Sequence, residues 1–361
     1  QGERCFLRLP PSAAEMASLS FYQGGEWCKF PYAEEPRKPK IQVTYATPQL
    51  VKFTLTDTDS SIANAIRRII MAEIPTMAIE TVNVLDNDSV MFDEFIAHRL
   101  GLLPLSSHDI GDIPPDEAAG IGFREHKDCN CFDGCPYCTV EFKLDVTNHE
   151  DKILNVTHFD VVETKTYQRE ISEHARVKCV PLRNEKLDIT DDTRDNGVLI
   201  CKLKKNQRMH MVCHARKGIP KYHSKFMPVA TCCMRYQPIV QLKEEMVNSL
   251  TLDEKVEFVE SCPRKVFGLD GEKLVIEKLQ DCIFCDECVA LAQVWGKKEM
   301  VTIKQDANMF HFIVESVTPD GPRSVIDVVR AAFRVFDYKL QNFVKDTWGD
   351  EIKDFLPREP R

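Results

Sequence analysis

The stretch from Asp57 to Leu105, DTDSSIANAIRRIIMAEIPTMAIETVNVLDNDSVMFDEFIAHRLGLLPL, constrains the fold more than any other part of the chain. An Asp/Ser cluster able to cap a helix precedes Ile62, Ile66, Ile69 and Ile70, which recur at helical spacing on one face while Arg67 and Arg68 turn elsewhere. This predicts a short amphipathic helix over residues 61–72. Pro75 bars continuation, because it has no amide proton and its ring clashes with the preceding turn. Met77, Ile79, Val82 and Val84 then alternate irregularly, as expected of a strand lying on that helix. Residues 93–100 read as a second, shorter helix closed by Gly101 and Pro104.

Around this stretch the chain divides into segments. Residues 1–40 have no sustained period and read as a mobile extension. Residues 41–45 and 51–55 alternate at period two about Thr47-Pro48-Gln49, a hairpin signal, so residues 41–104 form one unit. Pro114-Pro115, Gly120 and Gly122 then mark a loop that opens an inserted, strand-rich domain over residues 105–240, with strands expected at 140–146, 152–156, 158–162 and 198–203. Within it, residues 176–181 set a strand end and the acidic run 188–196 reads as a surface loop. A third small unit, residues 241–300, holds Cys262-Pro263, a Gly268-Leu269-Asp270-Gly271 turn and an alternating strand at 273–277. Residues 301–346 return to the first unit with a strand at 310–316 and a helix from Pro322 to about Lys345, and 347–361 form a tail. On that helix Val325, Val329, Ala332, Phe333, Phe336, Leu340 and Phe343 make an apolar stripe that requires a partner helix.

A chain of 361 residues can bury a sizeable core across two or three domains. No apolar run approaches bilayer thickness and the N-terminus shows no signal-peptide core, so an intracellular protein without membrane contact is expected. The net charge of -9 argues against a chain whose main work is gripping phosphates, which depends on lysines and arginines releasing counterions. The basic runs at 202–205 and 216–225 read as solvated faces.

Fifteen cysteines in so long a chain point to metal sites rather than disulfides. Cys129, Cys131, Cys135 and Cys138 share one polar loop, where four thiolates can converge tetrahedrally on Zn2+. Such a closed site leaves no open position for a substrate, so its role is structural. Cys282, Cys285 and Cys288 repeat at C-x2-C-x2-C with Cys262-Pro263 supplied from elsewhere, a pattern that resembles half of a bacterial-type ferredoxin. No second Cys-Pro follows Cys288, where Val289 to Ala292 stand instead, so only one cluster has ligands. A 4Fe-4S cluster, zinc and an empty vestige are the occupants to be weighed. The other seven cysteines, Cys5, Cys28, Cys179, Cys201, Cys213, Cys232 and Cys233, read as reduced, partly buried thiols. No nucleophile elbow, P-loop or paired-acid motif is present, and Asp57, Asp59, Asp93, Glu94 and His98 read as caps and surface partners of short helices.

The run IANAIRRIIMAEIPTMAIE followed by DEFIAHRLGLLPL resembles the alpha-motif of RNA polymerase assembly subunits, shared by bacterial alpha, archaeal D and their eukaryotic counterparts. The four-cysteine loop with its tail VEFKLDV at 140–146 is similar to that of the third-largest subunits of eukaryotic RNA polymerase II, and residues 217–231 resemble the segment that closes the family's insertion. The likeness spans about residues 41–343. It implies an α+β fold: an alpha-subunit-like dimerisation domain with an inserted strand-rich domain and a ferredoxin-like iron-sulfur subdomain, which some archaeal D subunits and eukaryotic relatives carry. It also implies a noncatalytic assembly subunit in the nucleus, the Asp triplet of nucleotidyl transfer belonging to another subunit. Its partners would be a smaller alpha-like subunit, paired through the helices at 61–72 and 322–345, the two largest polymerase subunits, and a small zinc-ribbon or assembly subunit. No sequence-specific nucleic-acid contact is implied. Two alternatives stay open. One is the related subunit shared by polymerases I and III, which typically lacks the zinc loop; the other is a ferredoxin-like electron carrier, which most of the chain does not fit.

Overall fold

The computed structural model describes residues 20–23, 26–29, 38–107, 110–111, 123–132, 134–164, 197–317 and 323–348. The expected features at 114–122, 176–181, 188–196, Pro322 and the tail beyond 348 lie outside the described residues, as does most of the expected N-terminal extension. In chain order the elements begin with β1 (Ser20–Gln23) and β2 (Glu26–Lys29), β3 (Lys40–Ala46), β4 (Leu50–Thr56), α1 (Ser60–Ala72), β5 (Thr76–Asn87) and α2 (Asp93–Gly101). They continue with β6 (Thr139–Thr147), β7 (Leu154–Thr157), β8 (Val161–Glu163), β9 (Leu199–Leu203), β10 (Arg208–Gly218) and β11 (Val229–Leu242). Last come α3 (Glu244–Asn248), α4 (Leu252–Ser261), β12 (Phe267–Asp270), β13 (Lys273–Ile276), α5 (Glu287–Val294), β14 (Val301–Ser316) and α6 (Val325–Trp348). This is an α+β chain. Part of the stretch read as a mobile extension is paired, with β1 and β2 forming an antiparallel hairpin.

The first unit is a four-stranded antiparallel sheet, in the order β11-β14-β4-β3, with α1 and α6 on one face. Period-two alternation sends Val51, Phe53 and Leu55 of β4 and Phe310, Phe312 and Val314 of β14 to the same side, where Phe53 and Phe312 stack at 4.6 Å. Helix α1 starts where the sequence demands it, the Asp59 carboxylate accepting the Ile62 amide at 3.0 Å. Its Ala63, Ile66, Ile69 and Ile70 are buried on the sheet.

The second unit corrects several expectations. Strand β5 does not lie on α1: it pairs along its length with β10 in a second sheet, order β5-β10-β6-β8, and Met77 and Ile79 join the core beneath α2. Core membership therefore changes between Ile74 and Met77. The reason is that Pro75 ends α1 and lets the backbone turn into the neighbouring sheet. The basic run 216–225 is likewise not a solvated face throughout, since Lys217 is buried and donates to the carbonyls of Ile110 and Phe123 at 3.1 Å, while Lys225 donates to Ile79 at 2.8 Å. Of the strands expected here, the one at 158–162 is shorter: a capping box between Thr157 and Asp160 turns 158–160 into a 3-10 helix, and β8 begins at Val161.

The third unit packs α4, α5 and the β12–β13 hairpin around Phe258, Phe267, Ala292 and Met300. A capping box of Thr251 and Glu254 starts α4. The unit has no sheet of its own large enough to bury these residues and instead leans on the far ends of β11 and β14, through Val240, Leu242, Val301 and Ile303. These two long strands thus form a ribbon shared by two cores. Their register shifts between Tyr236 and Pro238, where proline cannot donate to the ladder.

Candidate metal centres and the open helix face

The first cysteine set sits at the start of β6. Cys138 is buried and directly precedes Thr139, and the loop closes on itself through amide donation from Cys138 and Thr139 to the Cys135 carbonyl at 3.1 and 3.0 Å. Gly134 has φ +149°, and a Cβ there would come within 3.0 Å of Thr139 Oγ1, so glycine is required for this tight return. Sγ atoms lie 3.5 Å apart for Cys129 and Cys135, 3.3 Å for Cys131 and Cys138, and 3.6 Å for Cys135 and Cys138, all four falling within 4.8 Å of one another. Zn–S bonds of about 2.3 Å place the sulfurs of a tetrahedral site about 3.8 Å apart, so the residues fit a single metal ion such as zinc. The protons respond to this crowding. The Cys131 amide, then the surrounding thiols, pull Cys129 down to about 7, while hydrogen bonding to Cys138 and then desolvation push Cys131 up to about 12. A dication replaces the shared protons and removes the conflict.

Beside the loop, Lys127 pairs with Glu125 at 2.8 Å, donates to the Tyr222 hydroxyl at 2.5 Å and lies 4.7 Å over that ring. Those contacts, Glu125 first, raise its pKa. Next to Tyr222, the Lys221 amide donates to the Ala72 carbonyl at the end of α1 at 3.0 Å. The cysteine loop is thereby tied to the first unit by a short chain of polar contacts.

The second set is arranged differently. Cys262 ends α4, Cys282 follows a 3-10 turn, Cys288 lies in the first turn of α5, and all four thiols line one pocket with Arg264, Val266, Phe267, Ile283 and Ile303. Among the described residues only the first set brings three or more ligand atoms within 4.8 Å, so these four surround a space instead of meeting at a point. Lys265, Phe284 and Asp286 adopt φ of 50°, 55° and 59°, a left-handed conformation that is costly for a residue as bulky as phenylalanine and persists where surroundings over-determine it. The Val266 amide points at Cys262 Sγ at 3.4 Å. Burial, followed by the nearby Cys262, pushes Cys288 up to about 11, and burial also raises Cys282.

The stripe read on the last helix is split by the structure. Val325 and Ala332 are buried on the sheet together with Val328, Ala331 and Val335, which lie outside the stripe because the helix has two apolar faces. Val329, Phe333 and Phe336 are partly covered, whereas Leu340 is 48% and Phe343 62% exposed. Lys339 reaches Glu73 at the end of α1 at 2.6 Å, holding the two helices side by side. At the sheet edge, Ile41 and Val43 stand opposite buried Leu55 and Phe53 and therefore on the helix-bearing face, yet are 49% and 58% exposed. The open apolar surface thus has two parts, an edge strand and a helix end.

A model of the RNA polymerase Rpb3/Rpb11 dimerisation domain matches residues 52–340. Among similar relatives, DNA-directed RNA polymerase II subunit rpb3 of Dictyostelium discoideum is 33% identical over 308 residues, 84% of this chain and 93% of that one. DNA-directed RNA polymerases II, IV and V subunit 3 of Arabidopsis thaliana is 35% identical over 285 residues, 78% and 83% of the two chains. DNA-directed RNA polymerases I and III subunit rpac1 of Dictyostelium discoideum is 28% identical over 362 residues, 96% and 94%. The matched span runs from β4 through both sheets and the second cysteine set into α6, and the chain therefore belongs to the Rpb3/Rpb11 dimerisation family of RNA polymerase subunits.

Proposed function

We propose that this chain is a noncatalytic assembly subunit of RNA polymerase II, pairing with a smaller alpha-like subunit to make the platform on which the two largest subunits dock, in the nucleus. The observation that carries this reading is the open apolar face of the first unit, where Ile41, Val43 and Leu340 stay exposed beside a core that would otherwise cover them. Exposed apolar surface of this kind beside a packed helix pair is what a permanent heterodimer buries. A small zinc-ribbon or assembly subunit would complete the platform. The polymerase II assignment over the form shared by polymerases I and III rests on the four-cysteine loop and on 33% against 28% identity to the two Dictyostelium relatives.

In this reading Cys129, Cys131, Cys135 and Cys138 hold one Zn2+ that fixes the loop to β6. Cys262, Cys282, Cys285 and Cys288 hold a 4Fe-4S cluster that braces the third unit, a reading supported by the C-x2-C-x2-C spacing with a remote Cys-Pro and by all four residues lining one pocket. A cluster with no second one nearby serves structure rather than electron relay. The assembly reading is tested by co-expressing the full chain with the small alpha-like subunit of the same organism. Wild type should elute as a one-to-one complex, and combined Val43→Asp and Leu340→Asp should weaken pairing by about 100-fold or more, since charges in a buried interface cost several kcal/mol. A complex of undiminished stability in the double variant would exclude this face.

A further inference from the structure

The zinc loop contains a fifth polar side chain aimed at its sulfurs. His126 opens the 3-10 turn before Cys129, and its Nδ1 lies 3.6 Å from Cys138 Sγ and 3.9 Å from Cys131 Sγ. Cys138 is the buried member of the set, and its Sγ also lies 3.3 Å from the hydroxyl of Thr139, itself buried. A thiolate withdrawn from water needs hydrogen bonds in place of its hydration. Four thiolates on a dication leave two negative charges, and metal-bound sulfur has no proton to offer, so every donor must come from outside the ligand set. The four sulfurs already lie within 4.8 Å of one another, enough ligands for a four-coordinate site without the imidazole.

We infer that His126 is a positioning residue of this site: its Nδ1–H donates to Cys138 Sγ and is shared with Cys131 Sγ, with Thr139 as the second donor to Cys138. The inference rests on the zinc reading of the loop. Both donors lower the charge carried by the buried sulfur, which slows metal release and protects the thiolate from electrophiles. The tautomer follows, since an accepting sulfur requires the proton on Nδ1.

The test uses the full chain with Co2+ in place of zinc, read as differences between variants so that any metal at the second cysteine set cancels. Wild type should show tetrahedral cobalt bands with four-thiolate charge-transfer intensity; their absence would overturn the zinc reading itself. His126→Ala should keep metal stoichiometry and that intensity, move the charge-transfer band to lower energy, and speed zinc transfer to a chromophoric chelator roughly 10-fold. His126→Asn, which keeps an N–H donor, should recover part of both effects, and His126→Phe, which keeps only bulk, should recover neither. Unchanged bands and release in His126→Ala, equal recovery by Asn and Phe, or spectroscopic evidence of a nitrogen ligand in the wild type would each overturn the inference.

Discussion

The two cysteine sets hold the same four side chains in opposite ways. In the loop at 129–138 the sulfurs converge, 3.3 to 3.6 Å between close neighbours, on the surface of the second sheet. In the third unit they ring a pocket, and two of them, Cys262 and Cys288, are members of the hydrophobic core. A converging set needs only its own loop, whereas a surrounding set needs a fold to hold its parts apart. Metal loss should therefore be a local event at the first and a unit-wide event at the second.

The largest effect that separates them is all-or-none. In anaerobically prepared chain, Cys135→Ser should abolish zinc and leave iron and sulfide, and Cys285→Ser should do the reverse, with hydrogen exchange rising only around 123–138 in the first and across 241–300 in the second. Cross-loss of both metals, or a second set that is iron-free and zinc-loaded in wild type, would erase the contrast. Next in size, Gly134→Ala should cost about 1–3 kcal/mol and loosen zinc, because the left-handed backbone and the Thr139 contact leave no place for a methyl group; chelator competition and thermal melts report both. In the second set the opposite substitution should help. Asp286→Gly relieves a φ of 59° and should stabilise the third unit by about 0.5–1 kcal/mol in denaturant titrations, a loss of stability there arguing against stored strain. The smallest effect belongs to the tie between the first cysteine loop and the first unit. Tyr222→Phe keeps the ring under Lys127 but removes the hydroxyl, so about 0.5 kcal/mol or less should be lost at an exposed contact, with no change in metal content.

How much of this was legible beforehand follows sequence distance. The four cysteines of the first set lie within ten residues, so their spacing alone points to convergence, whereas a lone histidine three residues upstream, His126, carries no period or motif. Cys262 could be joined to Cys282, Cys285 and Cys288 by motif but not by geometry, since α4 and the β12–β13 hairpin decide where it lies. The sequence pattern marks only the C-terminal half of β14. Residues 301–309 are largely polar, and they pair because β11 runs beside them.

What the sequence determined by itself is therefore local: the Asp59 cap and isoleucine face of α1, the stop at Pro75, the β3–β4 hairpin and the loop of four cysteines. Each depends on groups a few residues apart, where backbone geometry leaves few choices. The tertiary structure alone decided that β5 leaves α1 for the second sheet, that one strand ribbon serves two cores, and which face of α6 is covered. Those outcomes are set by long-range pairing and by competition among apolar faces for the same burial, and neither has a signature in any one segment.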